Sequence, residues 1–194
     1  MKTLLFASAN KYKIDEINAV LAPLGYQVKG LHDLGITDDI PETGTTLDEN
    51  AAIKASFLYQ KFGQDCFADD TGLEVAVLNG APGVYSARYA GAPKSDIKNM
   101  EKLLTSLQGE TNRQAQFRTV FCLIEDGKHL FFEGKVAGAI ATEPRGSAGF
   151  GYDPLFVPTG EKLSFAQMTV ADKNKISHRA RAVEALMAYL GKRN

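Results

Sequence analysis

Two aspartates stand together in Asp69-Asp70-Thr71-Gly72, directly after the apolar run Cys66-Phe67-Ala68. Adjacent carboxylates at a strand end repel each other. A neutralising cation between them accounts for the pair, and so does a solvated Asp-Gly type of turn. Glu42, in Pro41-Glu42-Thr43-Gly44, offers a further carboxylate from a polar loop. Lys54, on a helix face turned away from that helix's apolar stripe, can reach the same place. Magnesium suits such a set, because it takes one or two protein carboxylates and completes its shell with water and phosphate oxygens. The Asp-x-Asp-x-Thr spacing of phosphotransferases is absent, since these two aspartates are contiguous.

Three other stretches carry chemistry. Ser8-Ala9-Asn10-Lys11-Tyr12-Lys13 lies at a strand-to-helix junction, where backbone N–H groups and the helix dipole favour an anion. It reads equally as an ordinary N-cap followed by solvated lysines, and no Gly-x4-Gly-Lys-Ser/Thr run occurs anywhere in the chain. In Gly149-Phe150-Gly151-Tyr152-Asp153-Pro154, glycines flank an aromatic and leave room for a flat ring over Phe150 or Tyr152. A tight turn holding a core aromatic has the same signature. Lys173 and Ser177-His178-Arg179 approach or open the last helix, where acidic residues are commoner.

The elements that must hold these residues follow from periodicity. Thr3 to Ala7 reads as a buried strand, and Ile14, Ile17, Leu21 and Leu24 recur at helical spacing before Gly25. Tyr26 to Gly30 reads as a strand and residues 32–44 as a loop. Thr46 and Glu49 form a capping-box signature for a helix burying Leu47, Ala51, Ala55, Leu58 and Phe62. Two short strands are expected around 66–68 and 73–78, with the Asp69–Gly72 turn between them. A loop over 79–94 and a helix over 96–107 come next. Asp126-Gly127 between two apolar runs predicts a hairpin, and a helix over 177–190 ends the chain. Strands and helices alternate early and a hairpin comes late, which favours a mixed-sheet α/β fold.

Composition narrows the partners. Of 194 residues, 44% are hydrophobic and 23% charged, which fits one globular domain or a domain with a lobe. The 22 basic and 23 acidic residues leave a net charge of −1, without the basic excess of a nucleic-acid binder. The apolar run at the N-terminus is too short to span a membrane, so a cytoplasmic protein is expected. Cys66 and Cys122 lie in apolar runs and read as two buried reduced thiols.

These stretches, in this order, closely resemble the inosine-triphosphate pyrophosphatase-like family, also called the Ham1 family. The match runs through Ser8 to Lys13 with Glu16, Glu42-Thr43-Gly44, Glu49-Asn50-Ala51 with Lys54, and Phe67 to Leu73. It continues through Gly80 to Tyr89, Phe150 to Pro154 and Ser177-His178-Arg179, so nearly the whole chain takes part. Leu47 departs from a Phe common in the family, at a helix-packing position.

The resemblance implies one domain over residues 1–194: an elongated, two-lobed α/β fold around a long mixed β-sheet, with flanking helices and an active cleft between the lobes. It implies a homodimer and a magnesium-dependent hydrolase that converts ITP, dITP or XTP to monophosphate and pyrophosphate, cleansing the nucleotide pool. Carried over by position, Ser8, Ala9, Asn10, Lys11, Tyr12 and Lys13 would bind the triphosphate. Glu42 and Asp70 would hold magnesium, with Asp70 as proton acceptor, Asp69 beside it and Lys54 positioning phosphate or water. Thr71, Phe150, Gly151, Tyr152, Asp153, Lys173, His178 and Arg179 would contact the rest of the nucleotide. A preference for modified pyrimidines and a non-catalytic nucleotide-binding module are the competing readings.

Overall fold

The computed structural model describes residues 1–192, without the side chains of Tyr12 and Glu16. Six strands form one sheet: β1 (Lys2–Phe6), β2 (Tyr26–Lys29), β3 (Cys66–Val75), β4 (Gln114–Glu125), β5 (Lys128–Ile140) and β6 (Phe156–Pro158), in the order β2-β1-β3-β4-β5-β6. β1 pairs in parallel with both β2 and β3, whereas β5 and β6 pair antiparallel, so the sheet is mixed. The helices are α1 (Lys11–Leu21), α2 (Leu47–Phe62), α3 (Asp96–Ser106), α4 (Val170–Ile176) and α5 (His178–Gly191).

The local chemistry explains most boundaries. Asn10 caps α1 by accepting from the Lys13 N–H at 3.2 Å. Thr46 and Glu49 form the reciprocal capping box on α2, and Gly63 ends that helix in the left-handed conformation. Leu47, Asn50, Ala51, Ala55 and Leu58 are its buried residues, while Phe62 is half-buried. Asp126 and Gly127 both take positive φ, the geometry of a two-residue turn joining β4 to β5.

Two expectations are corrected. β3 is one continuous ten-residue strand, so Asp69-Asp70-Thr71-Gly72 is strand and not turn. β1 pairs with Cys66 and Phe67 and β4 is the neighbour on the other edge, so sheet pairing holds β3 extended against the turn preference of the Asp-Gly composition. Residues 76–78 form a 3₁₀ turn after it. The last helix stands where expected, as α5, and a short helix not expected from the sequence, α4, precedes it. Thr169 caps α4, and Ser177 takes ψ 153 before α5 begins.

The chain divides into two compact units. Unit 1 comprises residues 1–70, 120–133 and 182–194, and unit 2 comprises 71–119 and 134–181. Each has its own core. In unit 1, Phe6, Phe67 and Phe121 stack among Ile17, Leu21 and Leu186. In unit 2, Phe117, Phe156 and Phe165 cluster with Leu73, Leu103 and Leu155.

Candidate active site

In unit 1, the adjacent aspartates turn out to serve different partners. Successive strand residues point to opposite faces, so Asp69 shares a side with Phe67 and Asp70 with Ala68. Asp69 is buried and accepts from Lys13 Nζ of α1 at 2.7 Å. Asp70 is met by Lys54 Nζ of α2 at 3.5 Å, and the same ammonium lies 2.6 Å from Glu42 Oε1. Lys54, off the apolar stripe of α2, thus reaches the carboxylates as expected. Its side chain is only 12% exposed, on the flank of α2 beside Asn50.

The electrostatics follow from that burial. Burial pushes the Asp70 carboxyl up, Glu42 and Asp69 add to the rise, and Lys54 and the Asn50 side chain pull it back. Burial by itself lowers Lys54, but Asp70, Asp69 and Glu42 outweigh it, so the ammonium is held above its ordinary range. The result is a buried carboxylate near a second carboxylate, with one cation shared between them. Such an arrangement suits a proton acceptor. Glu42 and Asp70 are hard oxygen donors converging on a positive charge, which fits magnesium. Among the described residues, no group of three or more His, Cys, Asp and Glu side chains is arranged to hold a metal.

The turn between β1 and α1 is more modest. Ser8 Oγ accepts from the Asn10 N–H at 3.2 Å, and Ala9, Asn10 and Lys11 are exposed. Lys11 reaches Asp15 at 3.4 Å on the surface, so only Lys13 of the two lysines is drawn into the carboxylate cluster. The Tyr12 side chain lies outside the described residues.

Unit 2 collects the remaining candidates. Gly149 takes φ +78, and a Cβ there would stand 2.1 Å from Asp153 Oδ2. That oxygen accepts from the Phe150 N–H at 3.0 Å and from Lys173 Nζ at 2.5 Å. The Gly151 N–H donates to Asp96 at the start of α3. The loop so fixed leaves Phe150 58% exposed, with Lys173 Nζ 5.2 Å and Arg179 Cζ 5.8 Å from its ring centroid. Arg179 is 8% exposed, and its Nε meets no hydrogen-bond partner among the described residues.

Three candidates have mainly structural surroundings. Tyr152 is buried, and its hydroxyl donates to the Ser86 carbonyl at 2.9 Å, so a base can stack on Phe150 but not on Tyr152. The His178 ring stacks on Phe117 at 4.7 Å and is buried. Thr71 Oγ1 lies 2.7 Å from Thr119 Oγ1. Motif reading passed over Asn50, Asp96 and Ser86 as site residues. Asn50 falls among the buried positions of α2, Asp96 accepts a distant backbone N–H with its carboxylate, and Ser86 accepts through its backbone carbonyl, contacts that no spacing reveals.

The Ham1 family profile matches residues 4–189. A dITP/XTP pyrophosphatase of Porphyromonas gingivalis is 53% identical over 192 residues, 98% of each chain. The dITP/XTP pyrophosphatase of Flavobacterium psychrophilum is 52% identical over 186 residues, 96% of this chain and 97% of that one. The Ham1 protein of Staphylococcus aureus superposes with a TM-score of 0.94 over 100% of both chains at 41% identity. Over nearly its whole length, in sequence and in fold, this chain belongs to the Ham1 family.

Proposed function

We propose that this chain hydrolyses aberrant purine nucleoside triphosphates, namely ITP, dITP and XTP, to nucleoside monophosphate and pyrophosphate, and so cleanses the nucleotide pool. One observation carries the reading: Glu42 and the half-buried Asp70 converge on Lys54 in a chain whose half-identical relatives are named dITP/XTP pyrophosphatases.

Attack by water at the α-phosphorus must approach a polyanion and expel pyrophosphate. Glu42 and Asp70 would hold magnesium, which when bound neutralises phosphate oxygens and the leaving group. Asp70, raised by burial, is the group to orient the water and take its proton. Lys54 and Lys13 supply fixed positive charge for phosphate, and Ser8 to Lys13 offers N–H donors at the start of α1. In unit 2, Phe150 offers an open ring face for a base. Arg179 offers an unpaired N–H group that rewards the 6-keto oxygen of hypoxanthine or xanthine over the amino group of adenine. Guanine shares that keto group, so this contact does not separate GTP.

A homodimer and a cytoplasmic location belong to the same proposal, and the homodimer rests on the family resemblance. Among the described residues no helix is long and apolar enough to cross a membrane. Hydrolysis of ITP in ¹⁸O-labelled water tests the reaction. The label is expected on the monophosphate, and label in the pyrophosphate, or release of orthophosphate, would reject attack at the α-phosphorus.

A further inference from the structure

Phe150, the ring open to a base, is exposed, so burial does little to fix where it stands. Its place must come from the backbone that carries it. Within the loop, the Phe150 N–H donates to Asp153 Oδ2 at 3.0 Å and the Asp153 N–H to the Phe150 carbonyl at 3.2 Å. Lys173 ties Asp153 to α4. The tie on the other side comes from α3, where Asp96 Oδ2 accepts the Gly151 N–H at 2.7 Å. Gly151 takes φ +62 with no atom within 4 Å of an added Cβ, so backbone conformation and not space calls for glycine there.

The support that presents Asp96 is itself well held. Ser95 caps α3 by accepting from the Lys98 N–H at 3.3 Å. Asn99, one turn after Asp96, is buried with its amide in use at both ends. It accepts the Ala90 N–H at 2.7 Å and donates to the Ser86 and Ala87 carbonyls. The same Ser86 carbonyl takes the Tyr152 hydroxyl at 2.9 Å. Residues 151 and 152 are thus both fastened to α3 or to the turn clasped against it, immediately after the exposed ring.

We propose that Asp96 is a positioning residue for base binding. Its carboxylate holds the Gly151 N–H and so sets the Phe150 ring for the purine of the substrate. Asp96 acts through that ring and reads no base, so its effect is the same for every purine. This rests on the pyrophosphatase reading, which places the base on Phe150.

Asp96→Ala loses the acceptor and the charge at the start of α3, whereas Asp96→Asn keeps an oxygen acceptor and loses the charge. Asp96 is exposed and Ser95 still caps the helix, so both variants should fold, each with some loss of Tm. The measurements are kcat and KM for ITP and ATP with magnesium, and Kd for ITP with EDTA in its place. Asp96→Ala should raise KM and Kd ~3–10-fold, with kcat changed less than about twofold and the ITP-to-ATP ratio of kcat/KM unchanged. Asp96→Asn should stay within about twofold of wild type in KM and Kd. In a Phe150→Ala background, Asp96→Ala should add less than about twofold, because the ring through which it acts is gone. An equal rise in that background, an Asp96→Asn as weak as Asp96→Ala, or a loss of Tm alone with Kd unchanged would overturn the proposal. If the wild type binds ITP but releases no pyrophosphate, the pyrophosphatase reading fails, while the Kd values still decide whether Asp96 acts through Phe150. A wild type that binds no ITP would overturn both.

Discussion

Asp69 and Asp70 differ by one position and by almost everything that matters chemically. Strand alternation gives Asp69 to Lys13 and Asp70 to Lys54, so one carboxylate is neutralised by α1 and the other is shared with Glu42. Asp70→Asn is expected to keep the fold and nucleotide binding while lowering kcat by ~10² or more, and near-normal turnover would remove Asp70 as proton acceptor. Lys13→Ala strands the buried Asp69 charge and should cost about 2–3 kcal/mol by urea denaturation, less than a wholly buried pair because Lys13 keeps 22% exposure. Lys11→Ala should change stability by less than about 0.5 kcal/mol. In unit 2, stacking is indifferent to which purine is present. Phe150→Ala should therefore raise KM for ITP and ATP alike, by ~1–3 kcal/mol of binding. Arg179→Ala should instead narrow the ITP-to-ATP ratio of kcat/KM roughly tenfold. Equal losses on both substrates would assign Arg179 to phosphate or to holding α5.

At the scale of elements, local signals were read well and long-range ones poorly. The Thr46–Glu49 capping box and the Asp126-Gly127 hairpin stand where their residues put them, because both are settled within a few positions. β3 was read as two strands because Asp-Asp-Thr-Gly favours a turn. Sheet pairing, with β1 at Cys66 and Phe67 and with β4 as the other neighbour, keeps it extended. The same error hid the sharing-out of the two aspartates, since residues in a turn have no alternation to read. α4 was missed because seven residues, three of them charged, carry too little periodicity. For the site, the residue types at Glu42, Lys54, Asp70 and Arg179 were legible, and the hold of Asn50 on the Gly44 N–H was not. β3 and β4 also bury the two thiols, and burial raises both Cys66 and Cys122 to about 12. Both should resist a thiol reagent at pH about 8 until the protein unfolds. Because their folded values lie above the ordinary 9.0, their stabilising contribution is complete below pH 9 and is lost as pH rises toward about 12. Replacing both by Ala should flatten that alkaline loss in urea titrations.

Across the whole molecule, unit 1 carries the carboxylates and lysines suited to a triphosphate, and unit 2 carries the exposed aromatic and buried arginine suited to a base. A net charge of −1 leaves no general attraction for polyanions, so affinity must come from these placed groups. The proposed function makes a specific claim about substrates: the base, and not the triphosphate alone, decides turnover. Pyrophosphate release with magnesium, measured across ITP, XTP, dITP, ATP, GTP and dUTP, tests it most directly. The expected result is kcat/KM for ITP, XTP and dITP at least ~10² above that for ATP. Equal rates on ITP and ATP, or dUTP as the best substrate, would contradict it.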